Sequence, residues 1–185
     1  YFRLKSGRAF LRAACMTVKE TELPSDSGLH ALYRPGDFLD CYSVVLSPPD
    51  PPLAEILQYL LIEMPGWARM LMRIRDGIVR VFGIRTSQDF PQDNRFRRVL
   101  TVGDHVGFME ARAITETEII LGQDDRHLDF RVTIYREPGT GGQVSLATLV
   151  HRHNWIGRLY LALIMPFHIL IVKSRLAATA HHFAR

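Results

Sequence analysis

The feature that most constrains the fold is a run of alternating segments between residues 97 and 153, joined by very short turns. The clearest example is segment 127–135, in which Leu128, Phe130, Val132 and Ile134 alternate with polar residues. A period of two is typical of a strand with one buried face. The joints, such as "GQDDR" and "EPGTGG", cannot contain a crossover helix, so neighbouring strands must run antiparallel. The spacing predicts five strands, at 97–102, 107–113, 116–122, 127–135 and 144–153.

Two further strands and two short helices precede this run. Strands are predicted at 16–24 and 40–48, the second because Tyr42 and its valine neighbours favour a strand. Apolar residues at helical spacing predict helices at 53–64 and 67–82. The dipeptide "PG" at positions 65 and 66 separates the two helices.

One long apolar helix closes the chain. It is predicted at 154–180, with Asn154 as its N-cap. Its most apolar part, 159–172, has 14 residues, which as a helix reach roughly 21 Å. Because a hydrocarbon core is about 30 Å thick, we expect a core helix and no transmembrane segment.

This order of elements predicts an α+β protein. A curved antiparallel sheet of six or seven strands is expected to wrap around the long C-terminal helix, with two short helices after the first main strand. A sheet needs one covered face, and only the C-terminal helix is long and apolar enough to cover it. A strongly curved sheet leaves a space beneath such a helix, which is a natural site for a small apolar ligand.

Composition limits the class of protein. The chain has 185 residues, of which 47% are hydrophobic and 23% charged, as in one globular domain. The formal net charge is +4, but no basic run occurs, so no nucleic-acid partner is expected. Only Cys15 and Cys41 are present, which indicates two thiols or a single bridge rather than a disulfide framework. No apolar leader precedes the domain, so a cytoplasmic protein is expected.

Four stretches carry a family resemblance: "DFLDCYSVVL", "RIRDGIVRVFGIR", "LGQDDRHLDFRVTI" and "TLVHRHNWIGRLYLALIMPFHILIV". Together they resemble a bacterial family, domain-of-unknown-function family 2867, which is grouped with the START-like (SRPBCC, helix-grip) superfamily. The resemblance covers most of 38–175 and implies a sheet that grips a C-terminal helix. It implies one START-like domain over 16–185, with 1–15 as an extension. Some relatives are fused to a nicotinamide-binding reductase-like domain, whose glycine-rich fingerprint does not occur in this sequence.

A polar row on one strand is the first candidate for chemistry. His127, Asp129 and Arg131 are two residues apart and therefore share a face of the sheet. If that face lines the internal space, the row is a buried triplet beside a ligand; if it faces outward, it is an ordinary solvated surface. The apolar row of the same strand is expected by default to face the helix.

The long helix supplies two further ligand-binding candidates, Tyr160 and His168. Pro166 removes a backbone hydrogen bond close to His168, which is then expected to reach the pocket. The histidines of "HRH", His151 and His153, have no Glu or Cys at ligand spacing, so no metal site is expected. No cofactor motif and no recognisable catalytic motif occurs either.

The sequence thus predicts a protein that binds a small hydrophobic ligand between its sheet and its C-terminal helix. Two alternatives stay open. One is an enzyme in the same pocket, of the cyclase, isomerase or hydrolase type. The other is an interaction module that forms a homodimer or works with a reductase partner, using part of the apolar helix as an interface.

Overall fold

The computed structural model describes residues 17–47, 51–61, 65–81 and 99–184. The N-terminal extension and Cys15 therefore lie outside the described residues. The strands are β1 (Lys19–Glu20), β2 (Phe38–Val45), β3 (His105–Val106), β4 (Met109–Ile114), β5 (Glu118–Asp124), β6 (Leu128–Arg136) and β7 (Gln143–Arg152). The helices are a 3₁₀ helix (Gly28–Leu32), α1 (Leu53–Leu61), α2 (Gly66–Val81) and α3 (Trp155–Phe183).

The strands form one antiparallel sheet in the order β1-β2-β7-β6-β5-β4-β3. Strand β2 pairs with the distant strand β7, which places the first main strand beside the last one. Helices α1 and α2 follow β2, and α3 contacts β2, β7 and both of these helices. This confirms the predicted α+β helix-grip arrangement, with seven strands and a long C-terminal helix.

One predicted strand is wrong over its described part. Residues 99–102 of the expected strand 97–102 form a bend and a turn, and a two-residue strand, β3, follows instead. The side chain of Asp104 accepts hydrogen bonds from the backbone and the hydroxyl of Thr101. Gly103 takes a positive φ of 93°, a conformation that interrupts a strand and that glycine adopts without strain.

The two faces of the sheet have different coverings. The helix face carries Phe38, Leu128, Phe130 and Leu146 and packs against α1, α2 and α3. The outer face carries the alternate residues, and the 3₁₀ helix covers part of it by packing Leu29 against Cys41 and its neighbours. The Cys41 thiol forms no disulfide within the described residues, and burial raises its pKa.

A buried carboxylate fastens the 3₁₀ helix to the outer face. Glu118 accepts hydrogen bonds from the hydroxyl of Ser27 at 2.5 Å, the backbone N–H of Gly28 at 2.8 Å and the hydroxyl of Thr133 at 2.7 Å. Three donors compensate the cost of removing the carboxylate from water. Glu118 is therefore a structural group that joins the N-terminal segment to the sheet.

The first turn of α3 touches the sheet without intervening side chains. Asn154 caps the helix by accepting a hydrogen bond from the backbone N–H of Gly157, as predicted for an N-cap. The side-chain amide of Asn154 also lies 3.1 Å from Nδ1 of His127, and the carbonyl of His127 accepts a backbone bond from His153. Gly157 sits so close to that carbonyl that a Cβ there would be 2.3 Å from its oxygen.

Helix α3 satisfies the length and composition expected of a membrane span, and is the one such helix in the described part of the chain. Composition alone does not distinguish a span from a core helix, and the contacts of α3 are those of a core helix. Leu161, Val172 and Leu176 are buried against the sheet and α1. However, only 22% of its most apolar stretch is buried, so one side of the helix stays uncovered.

Because Gly157 lies so close to the sheet, adding one methyl group at this position should have a large effect on the stability of the protein. Gly157→Ala should lower the free energy of unfolding by about 1–3 kcal/mol, because the helix must shift away from the His127 carbonyl. Gly77→Ala is the matched control: it is also a glycine inside a helix, and no atom of the described residues outside its own helix backbone and its two chain neighbours lies within 4 Å of its Cβ position. It should raise stability by about 1 kcal/mol through helix propensity. Urea denaturation of both variants checks this, and equal stabilisation would contradict the docking of α3.

Candidate functional site

A cavity of about 240 Å³ lies between the helix face of the sheet, α2 and α3. An apolar cavity of about 150 Å³ can hold benzene, so this one has room for a compact molecule of one or two rings. Its wall is largely apolar. The sheet contributes Phe38, Phe130, Val132, Thr148 and Val150, and the helices contribute Leu71, Ile74, Leu161, Leu163 and Phe167.

The cavity exists because α3 is packed tightly at both ends and less so between them. Near its start, Tyr160 and Leu161 pack against Leu128 and Val150. Near its end, Val172, Leu176 and Ala180 belong to the main core. Between Leu161 and Val172, no residue of α3 is fully buried. The intervening residues, including Ile164 and His168, therefore line the cavity.

One polar group on the cavity wall is an arginine–tyrosine pair. The Nε–H of Arg75, on α2, donates to the hydroxyl of Tyr160 at 2.9 Å, and the guanidinium lies over the same ring. The adjacent Asp76 forms an ion pair with Arg75 at 2.8 Å. Burial lowers the pKa of Arg75, but the contacts with Tyr160 and Asp76 together raise it by more than burial lowers it, so the net shift is upward. The guanidinium thus stays charged at the edge of an apolar space.

A second polar group is a histidine–carboxylate pair. Nε2 of His168, on α3, lies 3.0 Å from Oδ2 of Asp40, on the helix face of β2. The other carboxylate oxygen, Oδ1, is buried and has no hydrogen-bond partner among the described residues. Asp40 pairs in register with Thr148, whose side chain lines the cavity. A carboxylate at one ring nitrogen fixes the histidine tautomer and leaves the other nitrogen for a different partner.

The five predicted site residues separate into two groups. Tyr160 and His168 line the cavity. His127, Asp129 and Arg131 share a face, as their spacing predicts, but this is the outer face, since Leu128, Phe130 and Val132 line the cavity. None of their partners lines the cavity: His127 contacts the Asn154 amide, Asp129 contacts His153 at 2.9 Å, and Arg131 pairs with Asp124 at 2.6 Å.

Paired charges continue across the outer face. Nδ1 of His151 lies 2.6 Å from Oδ1 of Asp37. The pKa of His153 is lowered by partial burial, but the hydrogen bonds to Asp129 and to the carbonyl of Arg126 raise it more, so the net shift is upward. Within the described residues, no group of three or more His, Cys, Asp or Glu side chains is placed to hold a metal ion. The histidines of this face act as partners of carboxylates.

Sequence reasoning missed Asp40, Arg75 and Thr148. A usable signal existed for Asp40, because it alternates with Phe38 and Tyr42 and therefore belongs to the apolar face of its strand. A carboxylate among buried positions indicates a specific partner. No comparable signal marks Arg75, which is one of four arginines of α2 at ordinary helical spacing.

These features define a class: an α+β protein in which an antiparallel sheet holds a long C-terminal helix above an apolar cavity with a few polar groups. The chain belongs to the family described as "Protein of unknown function (DUF2867)", whose model matches residues 32–175. This confirms the family predicted from the sequence. The matched region includes all four polar residues of the two pairs, Arg75, Tyr160, Asp40 and His168. Comparison with curated proteins and with solved structures gave no significant match.

The pairing of His153 predicts a pH dependence on the outer face. Its pKa in the folded protein is raised above an unfolded value of about 6.5. The pair therefore stabilises the fold fully below that value, and the contribution is lost as the pH rises through the folded pKa. Asp129→Asn should lower the His153 pKa and reduce this loss of stability with pH.

The measurement is an NMR titration of the His153 ring protons, assigned with a His153→Gln variant, together with urea denaturation across the same pH range. Asp124→Asn is the control, because Asp124 pairs with Arg131 and Arg112 and not with His153. An unchanged His153 titration in Asp129→Asn would show that the pair does not form in solution.

Proposed function

We propose that the protein binds a small, mostly apolar ligand that carries one hydrogen-bonding group, in the cavity between the sheet and α3. The observation that supports this most is the combination of an apolar wall with two separate polar groups. Ligand sites of soluble proteins have this composition: apolar surface supplies the affinity, and a few polar groups fix the orientation. The volume of about 240 Å³ favours a compact ligand rather than a long acyl chain.

The two pairs differ in the ligand group that they would accept. The guanidinium of Arg75 has five N–H donors, and its bonds to Tyr160 and Asp76 leave donors for an oxygen of the ligand. The ring of His168 and the hydroxyl of Thr148 can donate or accept, and they lie next to the buried carboxylate of Asp40. A carbonyl, a hydroxyl or a carboxylate suits Arg75, whereas an anion near Asp40 would be repelled.

We further propose that the protein is a bacterial, cytoplasmic member of the START-like superfamily. The helix-grip arrangement supports this assignment, although that arrangement alone serves many functions. The proposal of ligand binding rests on the cavity and not on the superfamily. No cofactor is part of this proposal. The alternative of a homodimer or a reductase partner would use part of the apolar helix α3 as its interface.

Filling the cavity should weaken ligand binding without unfolding the protein. Val132→Phe adds volume to the cavity wall from the sheet side, where Val132 is only partly buried. We expect isothermal titration with 2-naphthol, a compact aromatic with one hydroxyl, to show binding to the wild type and an affinity at least about tenfold lower in this variant. Tenfold corresponds to about 1.4 kcal/mol.

The matched control is Val102→Phe, the same change at a position that is 63% exposed and does not line the cavity. It should leave the affinity unchanged. Naphthalene, which lacks the hydroxyl, should bind more weakly than 2-naphthol if a polar group orients the ligand. If no compact apolar compound binds and native mass spectrometry of freshly purified protein shows only the bare chain, the proposal is wrong.

A second candidate function, an enzyme in the same cavity, is favoured by the Asp40–His168 pair. A histidine held by a carboxylate is a typical general base, because the carboxylate orients the ring and stabilises its charged form. The pair lies beside an apolar space that would hold a carbonyl compound away from water. Hydrolysis of a small ester or isomerisation next to a carbonyl are the reaction types that such a base can serve.

This candidate function predicts that one substitution can lower the reaction rate without changing the affinity for a ligand. If the protein hydrolyses 2-naphthyl acetate, His168→Gln should lower the rate by about 10²–10⁴-fold, while the affinity for 2-naphthol changes little. His153→Gln, the same substitution on the outer face, should keep the full rate. A wild-type rate no greater than that of buffer, or equal rates in both variants, would count against a base at this position.

A further inference from the structure

We propose that the mouth of the cavity docks on an anionic phospholipid bilayer, so that an apolar ligand passes between the bilayer and the cavity. The inference deepens the proposed function: the exchange of a ligand with the bilayer rests on the cavity binding a ligand. The docking surface, however, can be tested without any ligand. It consists of exposed apolar residues on α2 and α3, flanked by arginines.

The apolar part, here called the mouth surface, consists of six residues that are 41–64% exposed: Trp67, Met70 and Ile74 on α2, and Leu159, Leu163 and Phe167 on α3. On each helix they follow at intervals of three or four residues, so each set forms one row. Ile74, Leu163 and Phe167 also line the cavity. The two rows therefore meet at its opening. Apolar residues that are scattered singly need no explanation, but a contiguous group around a cavity indicates a binding surface.

The charges beside the mouth surface are of one sign. Arg69, Arg73 and Arg80 of α2 are exposed and form no ion pair with any described residue. The one acidic residue of α2, Asp76, is buried and paired with Arg75. Helix α3 contains no acidic residue at all, and its Arg158 is exposed.

The outer face shows the opposite arrangement, and this argues against a general excess of positive charge. There, Asp37, Asp124 and Asp129 face His151, Arg131 and His153 in close pairs. At the cavity itself, the acidic Asp125 is held by the backbone N–H of Arg126. Exposed arginines also occur elsewhere, as at Arg34 and Arg126, but on α2 three of them lie beside a row of exposed apolar side chains.

A bilayer with anionic lipids complements both properties. An amphipathic helix with tryptophan and leucine-like residues on one side and arginines on the other lies in the interface, with its apolar side in the acyl boundary. α2 has this composition, with Trp67 and Met70 beside Arg69 and Arg73. Tryptophan favours this depth, and the negative surface potential attracts the arginines. An apolar ligand is concentrated in the same layer, directly opposite the opening.

The test is a flotation assay of the full chain with vesicles of phosphatidylcholine alone or with phosphatidylglycerol added. We expect binding to the anionic vesicles, weaker binding to phosphatidylcholine, and loss of the difference at high salt. Arg69→Gln with Arg73→Gln should lower the partition coefficient by roughly tenfold to thirtyfold. Met70→Ser with Leu159→Ser should lower it by at least about tenfold.

Matched controls carry the same changes elsewhere. Arg34→Gln with Arg126→Gln removes two charges from exposed positions outside α2 and α3, and Val99→Ser with Val102→Ser removes two exposed apolar side chains. Both control proteins should bind as the wild type does. None of the variants changes a residue of the cavity wall, so 2-naphthol binding in solution should be unchanged in all of them.

Three outcomes would overturn the inference. The first is no binding to anionic vesicles, and the second is equal losses in the test and control variants. The third is a dimer in analytical ultracentrifugation that Met70→Ser with Leu159→Ser dissociates, which would assign the mouth surface to a second copy. In each case, retained 2-naphthol binding would leave the proposed function intact. Vesicle binding without any 2-naphthol binding would instead remove the proposed function and leave the docking surface.

Discussion

The attachment of α3 at both of its ends is the constraint on which the rest of the structure depends. At the first turn, Gly157 meets the carbonyl of His127 without a side chain between them. Near the other end, the buried guanidinium of Arg175 donates to the carbonyls of Tyr59 and Leu60, in the last turn of α1. A cation at the end of a helix satisfies carbonyls that have no partner within the helix. Between these two attachments, one hydrogen bond between His168 and Asp40 joins the helix to the sheet, and the other contacts of this part of α3 with the sheet are largely apolar.

This arrangement leaves the polar row of β6, the first candidate for chemistry, on the side of the sheet away from the cavity. His127 holds the N-cap of α3, and Asp129 and Arg131 are engaged by His153 and Asp124. Groups that are already paired with neighbouring residues have little capacity to bind a ligand. On the helix face, by contrast, Asp40 has one buried oxygen without a described partner. A polar group left in that state inside a protein is costly, and such a cost is commonly retained where a site needs the group.

The sequence predicted the strands, the N-cap and the face shared by His127, Asp129 and Arg131, because each depends on residues close together in the chain. The default expectation that the apolar row of this strand faces the helix is confirmed, since Leu128, Phe130 and Val132 line the cavity. Spacing alone could not exclude the other orientation, which depends on β6 pairing with β7 and on α3 crossing the opposite face. The predicted strand 97–102 was wrong because the prediction considered only the alternation of residues. It ignored Gly103, which has a positive φ, and the turn that the Asp104 N–H closes on the carbonyl of Thr101. The Arg75–Tyr160 and Asp40–His168 pairs join residues 85 and 128 positions apart, and no local pattern encodes such contacts.

The division of charge between the two faces has a consequence for how the cavity opens. The outer face is held by pairs that need no further partner, whereas α2 presents arginines and apolar side chains together to solvent. Exposed apolar surface weakens solubility unless a partner covers it or charge keeps copies apart. The arginines beside the mouth surface repel a second copy that approaches with the same face, since an isologous contact would bring like charges together. The same charges attract an anionic surface, so the electrostatics that disfavour a face-to-face dimer favour the bilayer.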